Sequence, residues 1–326
     1  MPPCLLRRAL AIVLGLSVLS PLVGQAQEFP SRKPITLVVG FAAGGAADTA
    51  ARIIARKLSE NLGQSVLIDN RAGAGGNIAH QYTAQGPIDG SLILFGSVGP
   101  LTIAPHLMKL PYDPLKDLAP LTMGVNFPNV LVVNADLKIQ TFAEFVAYAK
   151  AHPGKLDFAS TGPGSASHLA GELLNEVAGI DTLHVPYKGG APAMQDLIAG
   201  RVAAYYSTLS TALPHIENGK LIPLASTGPQ RLPALPKVPT IAESGFPGFS
   251  ATNWYAFVAS AKVPRPILDR WQVELVRVLK SPEVVEALNK HGLTPLPMTR
   301  DELGRYIATE YTTWGRVIRE RKIVSD

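Results

Sequence analysis

Four glycine-rich junctions carry the residue types best suited to chemistry in this sequence of 326 residues. They read GFAAGGAAD (residues 40–48), AGAGGN (72–77), STGPGS (160–165) and YKGGAP (187–192). Glycine lets backbone N–H groups approach a ligand closely, and a following helix N-terminus adds unpaired donors and partial positive charge. Any one junction is also compatible with an ordinary strand–helix turn. Two junctions in each of two predicted lobes favour the binding of a carboxylate or a phosphate.

Motifs for other chemistries are incomplete. Junction 40–48 lacks the Gly-Lys-Ser/Thr ending of a phosphate-binding loop, and the sequence contains neither G-x-S-x-G nor H-E-x-x-H. Ser165, Ser167 and His168 lie close together, but their place on the first turn of a predicted helix suits capping better than nucleophilic catalysis. His168 and Glu172 form only a weak metal pair. We predict no catalytic residue, no metal site and no cofactor.

Aromatic residues beside the junctions are candidates for the walls of a pocket. Each is individually more typical of a core; the five that qualify by position are Phe41, Tyr187, Tyr205, Tyr206 and Trp254. Adjacent strand residues point to opposite faces, so we expect one of Tyr205 and Tyr206 to face a cleft.

Alternating strand-like and helix-like segments position these junctions. The apolar runs predict strands at 35–39, 66–68, 92–95, 130–133, 156–159, 183–185, 203–206 and 254–259. We expect Asp48 to cap the first helix and Gly63 to end it, and capping boxes at 141–144 and 299–302 to start two others. This alternation predicts an α/β fold with parallel strands.

The segment order predicts two lobes, the second inserted into the first. Residues 27–133 and 253–326 would form the first lobe, and residues 134–252 the second. Two crossing segments, near 130–135 and 248–254, would then act as hinges.

The first 26 residues have the pattern of a signal peptide. Arg7 and Arg8 precede a short apolar run at 10–19, and the small residues Gly24 and Ala26 mark a cleavage site before Gln27. The only cysteine, Cys4, lies in this segment, so we expect an exported protein without disulfides. Removal of both arginines takes the formal charge from +5 to +3, and no aromatic ladder accompanies the scattered cations. We therefore expect no nucleic-acid partner.

With these junctions in place, the chain resembles the Bug-type receptors, the extracytoplasmic solute-binding components of tripartite tricarboxylate transporters. The resemblance runs from about residue 34 to the end. Its marks are GGxxDxxAR (44–52), GAGGNI (73–78), DG (89–90), LPYDP (110–114), STGxGS (160–165) with HL (168–169), VPYKGG (185–190), DLIAG (196–200) and ALPHI (212–216).

The resemblance implies a type II-like periplasmic binding protein fold of two lobes that close on a carboxylate, without catalysis. The ligand contacts that it implies in the first lobe are Phe41, Ala42, Gly45, Asp48 and Ser97. Those that it implies in the second lobe are Ser160, Thr161, Gly164, Ser165, His168, Tyr187, Gly189 and Ala191.

Two positions depart from the family pattern. The first junction reads Ala43-Gly44-Gly45 where Pro-Gly-Gly is usual, and Ser207 stands where an aspartate is common. That aspartate can pair with an amino group of the ligand. With Ser207 we predict weak selection for amino-bearing ligands and more room for a neutral, aromatic or purely acidic one.

The sequence thus predicts a periplasmic, monomeric receptor that captures a small carboxylate for the permease subunits of a transporter. Two alternatives remain open. A sensor partner of a membrane kinase would share the fold, and an extracytoplasmic hydrolase would use Ser165 or His168.

Overall fold

The computed structural model describes residues 33–324, which form ten strands and ten α-helices. The predicted signal peptide lies outside the described residues. The strands are β1 (Ile35–Val39), β2 (Val66–Asn70), β3 (Leu92–Ser97), β4 (Leu118–Asn134), β5 (Asp157–Ser160), β6 (Leu183–Pro186), β7 (Ala204–Thr208), β8 (Leu221–Ser226), β9 (Thr252–Ser260) and β10 (Thr294–Pro295). The helices are α1 (Ala46–Leu62), α2 (Asn77–Ala84), α3 (Ala104–Leu107), α4 (Phe142–Ala151), α5 (Ala166–Ala178), α6 (Gly190–Ile198), α7 (Leu209–Glu217), α8 (Arg265–Leu279), α9 (Pro282–Lys290) and α10 (Arg300–Glu320).

The strands form one curled, mixed sheet in the order β2-β1-β3-β9-β4-β7-β5-β6, with β8 and β10 paired to β4. β1 is parallel to β2 and β3, and β5 is parallel to β6 and β7. β4 and β9 are antiparallel to each other and to their other neighbours. The α/β class is confirmed. The prediction of parallel pairing is wrong for β4 and β9, because β4 leads out of the first lobe and β9 leads back into it.

β4 carries the chain from one half of the sheet to the other. Its residues 118–128 pair with β9, and its residues 129–134 pair with β7 and β8. The sequence revealed only 130–133, because Pro120, Gly124 and Pro128 interrupt the apolar pattern. Register shifts near Pro120 and Gly124 absorb these residues. The fold is two-lobed, and the lobe boundaries at 134 and 252 stay a prediction.

Local capping signals locate three helix ends correctly. Both predicted capping boxes are present, at Thr141 with Glu144 and at Thr299 with Glu302, and Gly63 ends α1 in the left-handed conformation. The prediction for Asp48 is wrong. Gly45 occupies the N-cap position, and Asp48 lies inside the first turn.

Candidate functional site

The glycine-rich junctions of the two lobes face each other and touch. The Ala42 N–H donates a hydrogen bond to the Lys188 carbonyl at 3.1 Å. A Cβ at Gly99 would lie 2.6 Å from the Gly164 carbonyl oxygen, and one at Gly189 would lie 2.8 Å from the Ala42 nitrogen. Backbones approach this closely only where no side chain intervenes. Glycine at these positions is therefore what allows the lobes to meet.

The Asp48 carboxylate stabilises the first junction through hydrogen bonds. It accepts the Gly44 N–H at 3.0 Å, Arg52 Nε at 2.9 Å and Asn70 Nδ2 at 3.1 Å, and Asn70 also donates to the Phe41 carbonyl. Burial would raise the pKa of this carboxyl, but the hydrogen bonds from Arg52, Gly44 and Asn70 outweigh it and lower the pKa. Asp48 is therefore ionised at neutral pH, and its carboxylate holds the loop.

A small cavity of about 20 Å³ lies between the junctions, and its described lining residues are all uncharged. The first lobe contributes Phe41, Ser97, Val98 and Gly99. Strand β9 adds Asn253 and Tyr255, and strand β4 adds Asn129. The second lobe contributes Thr161, Ser165, Ala166, Ser167, Tyr205, Tyr206 and Thr208. With the junctions in contact, this space is little more than one water molecule needs.

The N-terminus of α5 opens into this cavity. Ser165 is the N-cap, and its Oγ accepts the backbone N–H of His168 at 3.3 Å. Ala166 and Ser167 follow on the first turn, where N–H groups have no intrahelical acceptor. Unpaired donors and the positive end of the helix dipole together suit an anion. The arrangement can hold a carboxylate without a cationic side chain.

Three buried polar atoms of the cavity wall have no hydrogen-bond partner among the residues that the structure describes. They are Ser97 Oγ, Asn129 Nδ2 and Asn253 Oδ1, and their side chains belong to residues that are 3%, 1% and 8% exposed. Buried polar groups in proteins are nearly always hydrogen-bonded. These atoms are therefore free to hydrogen-bond a ligand or a water molecule in the cavity.

The predicted site residues fall into three groups. Those that line the cavity are Phe41, Ser97, Thr161 and Ser165. Those at the direct contact between the lobes are Ala42, Gly45, Gly164, Gly189 and Ala191. Those that lie behind these surfaces are Asp48, Ser160, His168, Tyr187 and Ser207. A ligand-contacting role for any of them stays a prediction.

The third group makes hydrogen bonds within the protein. Ser160 Oγ pairs with His184 Nε2 at 2.6 Å, and Ser207 Oγ donates to the Thr208 carbonyl at 3.0 Å. The Tyr187 hydroxyl donates to Asp196, and burial together with this carboxylate raises the tyrosine pKa to about 12. These side chains support the junctions from outside the cavity.

Two other expectations change. Tyr205 and Tyr206 both line the cavity, rather than one of them. Trp254 is fully buried and donates to Glu310 at 3.4 Å, away from the described cavity lining.

The arrangement of Ser165 and His168 matches capping. His168 Nδ1 accepts the Gly164 N–H at 3.2 Å, and Nε2 lies 3.9 Å from Glu172. The imidazole nitrogens are thus directed to other groups than the Ser165 hydroxyl.

Asn129 and Asn253 were missed by sequence reasoning. Each immediately precedes an apolar run that was predicted as a strand, at 130–133 and 254–259. The available signal was an asparagine directly before each of these two apolar runs.

The backbone of Ser97 rests on a buried histidine. His80 Nε2 accepts the Ser97 N–H at 3.3 Å, and Nδ1–H donates to the Gly76 carbonyl at 2.9 Å. Burial lowers the pKa of His80 to about 4, so the ring is neutral.

We expect acid to destabilise the protein through His80. The unfolded chain binds a proton near pH 6.5, whereas the folded protein resists it down to about pH 4. Stability from this group is therefore complete above pH 6.5 and falls by about 3 kcal/mol as the pH decreases to 4. Urea unfolding across this pH range measures the slope. In His80→Gln the slope of the free energy of unfolding against pH should correspond to one proton fewer. An unchanged slope would contradict the assignment.

Two further features concern the described part of the chain. Residues 33–324 contain no group of three His, Cys, Asp or Glu side chains placed to hold a metal. Within the same range, no helix combines the length and apolarity needed to cross a membrane.

Comparison with known proteins identifies the family. The sequence model of the "Tripartite tricarboxylate transporter family receptor" matches residues 50–323. A UPF0065 protein from the tcbD-tcbE intergenic region of Pseudomonas sp. strain P51 is 39% identical over 319 residues, which are 97% of this chain and 95% of that protein.

Solved structures agree with this. A protein from R. palustris, solved with adipate, is 34% identical and superposes with a TM-score of 0.87, covering 91% of this chain and 99% of that one. The periplasmic binding protein BugD is 32% identical with a TM-score of 0.85, covering 90% and 99%. Sequence, fold and the cavity between the lobes all lead to one assignment: the chain belongs to the tripartite tricarboxylate transporter receptor family of solute-binding proteins.

Proposed function

We propose that this protein captures a small carboxylate between its lobes in the periplasm and delivers it to the permease subunits of a tripartite tricarboxylate transporter. Cleavage after Ala26 would release it as a monomer with lobes at 27–133 with 253–326 and at 134–252. The observation that carries the proposal is the N-terminus of α5, which opens into an uncharged cavity between the lobes. The adipate that accompanies the R. palustris relative supports a carboxylate as ligand.

The binding free energy would come from neutral donors. Each hydrogen bond to a charged acceptor contributes about 1.5–3 kcal/mol, and a helix end adds about 0.3–1 kcal/mol. Several such contacts suffice for the ~8 kcal/mol of micromolar binding after the cost of association.

Closure would depend on the ligand because the donors come from both lobes. Ala166 and Ser167 belong to the second lobe, and Ser97 and Gly99 to the first. A carboxylate that contacts both sets binds the closed form more tightly than the open form, so it shifts the population toward closure. The closed form would be the one that the permease recognises.

We expect at least one member of a panel of mono-, di- and tricarboxylates to stabilise the protein thermally. At a concentration one hundred times its dissociation constant, a ligand adds about 2.7 kcal/mol of stability. Mass spectrometry of the recovered acid should show it unchanged. A panel without any stabilising acid, or an acid that is converted, would contradict the proposal.

A further inference from the structure

The C-terminal end of α10 is strongly basic and exposed. Residues 316–322 carry four cations and one carboxylate, whereas the first turn of the same helix is acidic. Thr312, Arg316 and Arg319 are three or four positions apart, so they share one exposed face of the helix. Cations in a last helical turn complement the helix dipole. This explains Arg319 but not Arg316, which lies before the last turn.

The loop that follows α3 lies beside this end of α10. His106 Nε2–H donates to the Tyr311 carbonyl at 2.8 Å, and a Cβ at Gly315 would lie 2.5 Å from the His106 ring. Burial lowers the pKa of His106, the bond to the Tyr311 carbonyl offsets part of this, and the charge of nearby Arg319 lowers the pKa further. Lys116, on the loop, lies close enough to Tyr311 to interact with it electrostatically. The cations of the loop therefore extend those of α10.

Most of this positive charge is not neutralised within the described part of the chain. The exposed cations, which we call the basic surface, are Lys109, Lys116, Arg316, Arg319 and Lys322. Lys116 is paired with Asp113 at 3.0 Å, and Arg316 with Glu320 at 4.0 Å. Within residues 33–324, the other three cations form no ion pair. The basic surface is thus complementary to an anionic partner.

Two exposed apolar side chains flank the basic surface. Leu115 precedes Lys116 and is 46% exposed, and Val324 follows Lys322 by two positions and is 71% exposed. Cations beside protruding apolar side chains are typical of surfaces that lie on a membrane, where the cations contact anionic headgroups and the apolar groups enter the headgroup boundary. A soluble anion would use the cations alone. The combination therefore favours a lipid surface.

We propose that the basic surface docks this protein on the anionic headgroups of a phospholipid bilayer, with Leu115 and Val324 at the headgroup boundary. Docking would keep the receptor within reach of a permease embedded in the same bilayer. The basic surface lies outside the cavity between the lobes, so lipid binding requires no carboxylate ligand. Docking on lipid and capture of a carboxylate can therefore be tested separately.

Vesicle sedimentation with the chain expressed from Gln27 tests the role of charge. Vesicles of phosphatidylglycerol and phosphatidylcholine in equal amounts should bind the protein at low ionic strength, and vesicles of phosphatidylcholine alone should not. Each cation near an anionic membrane strengthens binding about fivefold, so Arg316→Gln, Arg319→Gln and Lys322→Gln together should weaken it about hundredfold. Added salt should weaken binding of the wild-type protein as well. A wild-type protein that ignores the anionic vesicles overturns the proposal.

Helix α8 offers a control with the same change in net charge. It packs on the opposite face of the sheet, because Leu37 of β1 belongs to the core beneath α8 and the next residue, Val38, to the core beneath α10. Arg270→Gln, Arg277→Gln and Lys280→Gln also remove two arginines and one lysine from exposed positions. This variant should bind the anionic vesicles nearly as well as the wild-type protein. Equal losses in the two triple variants would mean that net charge alone causes binding, which contradicts a docking surface on α10.

A fluorescent label tests the orientation on the membrane. The sequence from Gln27 onward contains no cysteine, so Leu115→Cys and Val273→Cys each provide a single labelling position. Val273 is 60% exposed on α8 and serves as the control. An environment-sensitive fluorophore at position 115 should shift its emission to shorter wavelength on the anionic vesicles, and one at position 273 should not. No shift at 115, or equal shifts at both positions, rules the proposal out even if a triple variant does not fold.

Discussion

Gly75→Ala is expected to weaken carboxylate binding about tenfold to hundredfold by preventing full closure of the lobes. Gly75 lies in the second junction, and its Cα faces the Pro163 carbonyl of the opposite lobe. An alanine Cβ there would come closer to that oxygen than the 3.0 Å below which real Cβ atoms are essentially never found. This clash is relieved only if the junctions separate. The closed form, which binds the ligand, then becomes less populated.

The chain offers a matched control for backbone strain. Gly75 has a φ of 63° and Gly63 a φ of 65°, so alanine suffers the same left-handed conformation at either position. A Cβ at Gly63, however, meets nothing within 4 Å. Gly63→Ala should therefore lose similar stability but bind normally.

Calorimetry with a bound carboxylate, together with X-ray scattering for the radius of gyration, distinguishes the two variants. Gly75→Ala should remain more expanded than the wild-type protein at saturating ligand, whereas Gly63→Ala should contract normally. Equal affinities for the two variants would show that contact between Gly75 and Pro163 is not required for closure.

Ala166→Pro is expected to reduce carboxylate affinity about tenfold to hundredfold, because it removes one N–H donor from the N-terminus of α5. Ala166 is the first residue of the helix, where proline is well tolerated since its missing N–H has no intrahelical acceptor. The preceding residue, Ser165, is already extended, at φ −79° and ψ 165°, as a residue before proline prefers. The helix itself should form normally.

Ala166→Gly provides the comparison, because it keeps the N–H and removes only the methyl group. Titration of both variants with the same acid, and thermal unfolding without ligand, separates loss of a donor from loss of stability. If both variants bind as tightly as the wild-type protein, the carboxylate is not held at this helix end.

Much of the fold could be predicted from local sequence. The caps at Thr141 and Thr299 and the stop at Gly63 are properties of a few neighbouring residues, so they could be identified without the rest of the chain. The length of β4 could not. Prolines at 120 and 128 are unfavourable in a strand, and only pairing with β9 makes the extended conformation stable there.

The same division holds for the site. The four glycine-rich junctions were visible in the sequence, because glycine before a helix has a local meaning that does not depend on what lies opposite. That Gly99 touches Gly164, that Asp48 braces its own loop, and that Asn129 meets Asn253 across 124 residues of chain were decided by tertiary structure. Such contacts depend on which backbones pack together, and a linear pattern contains no distance between residues that are far apart in the chain.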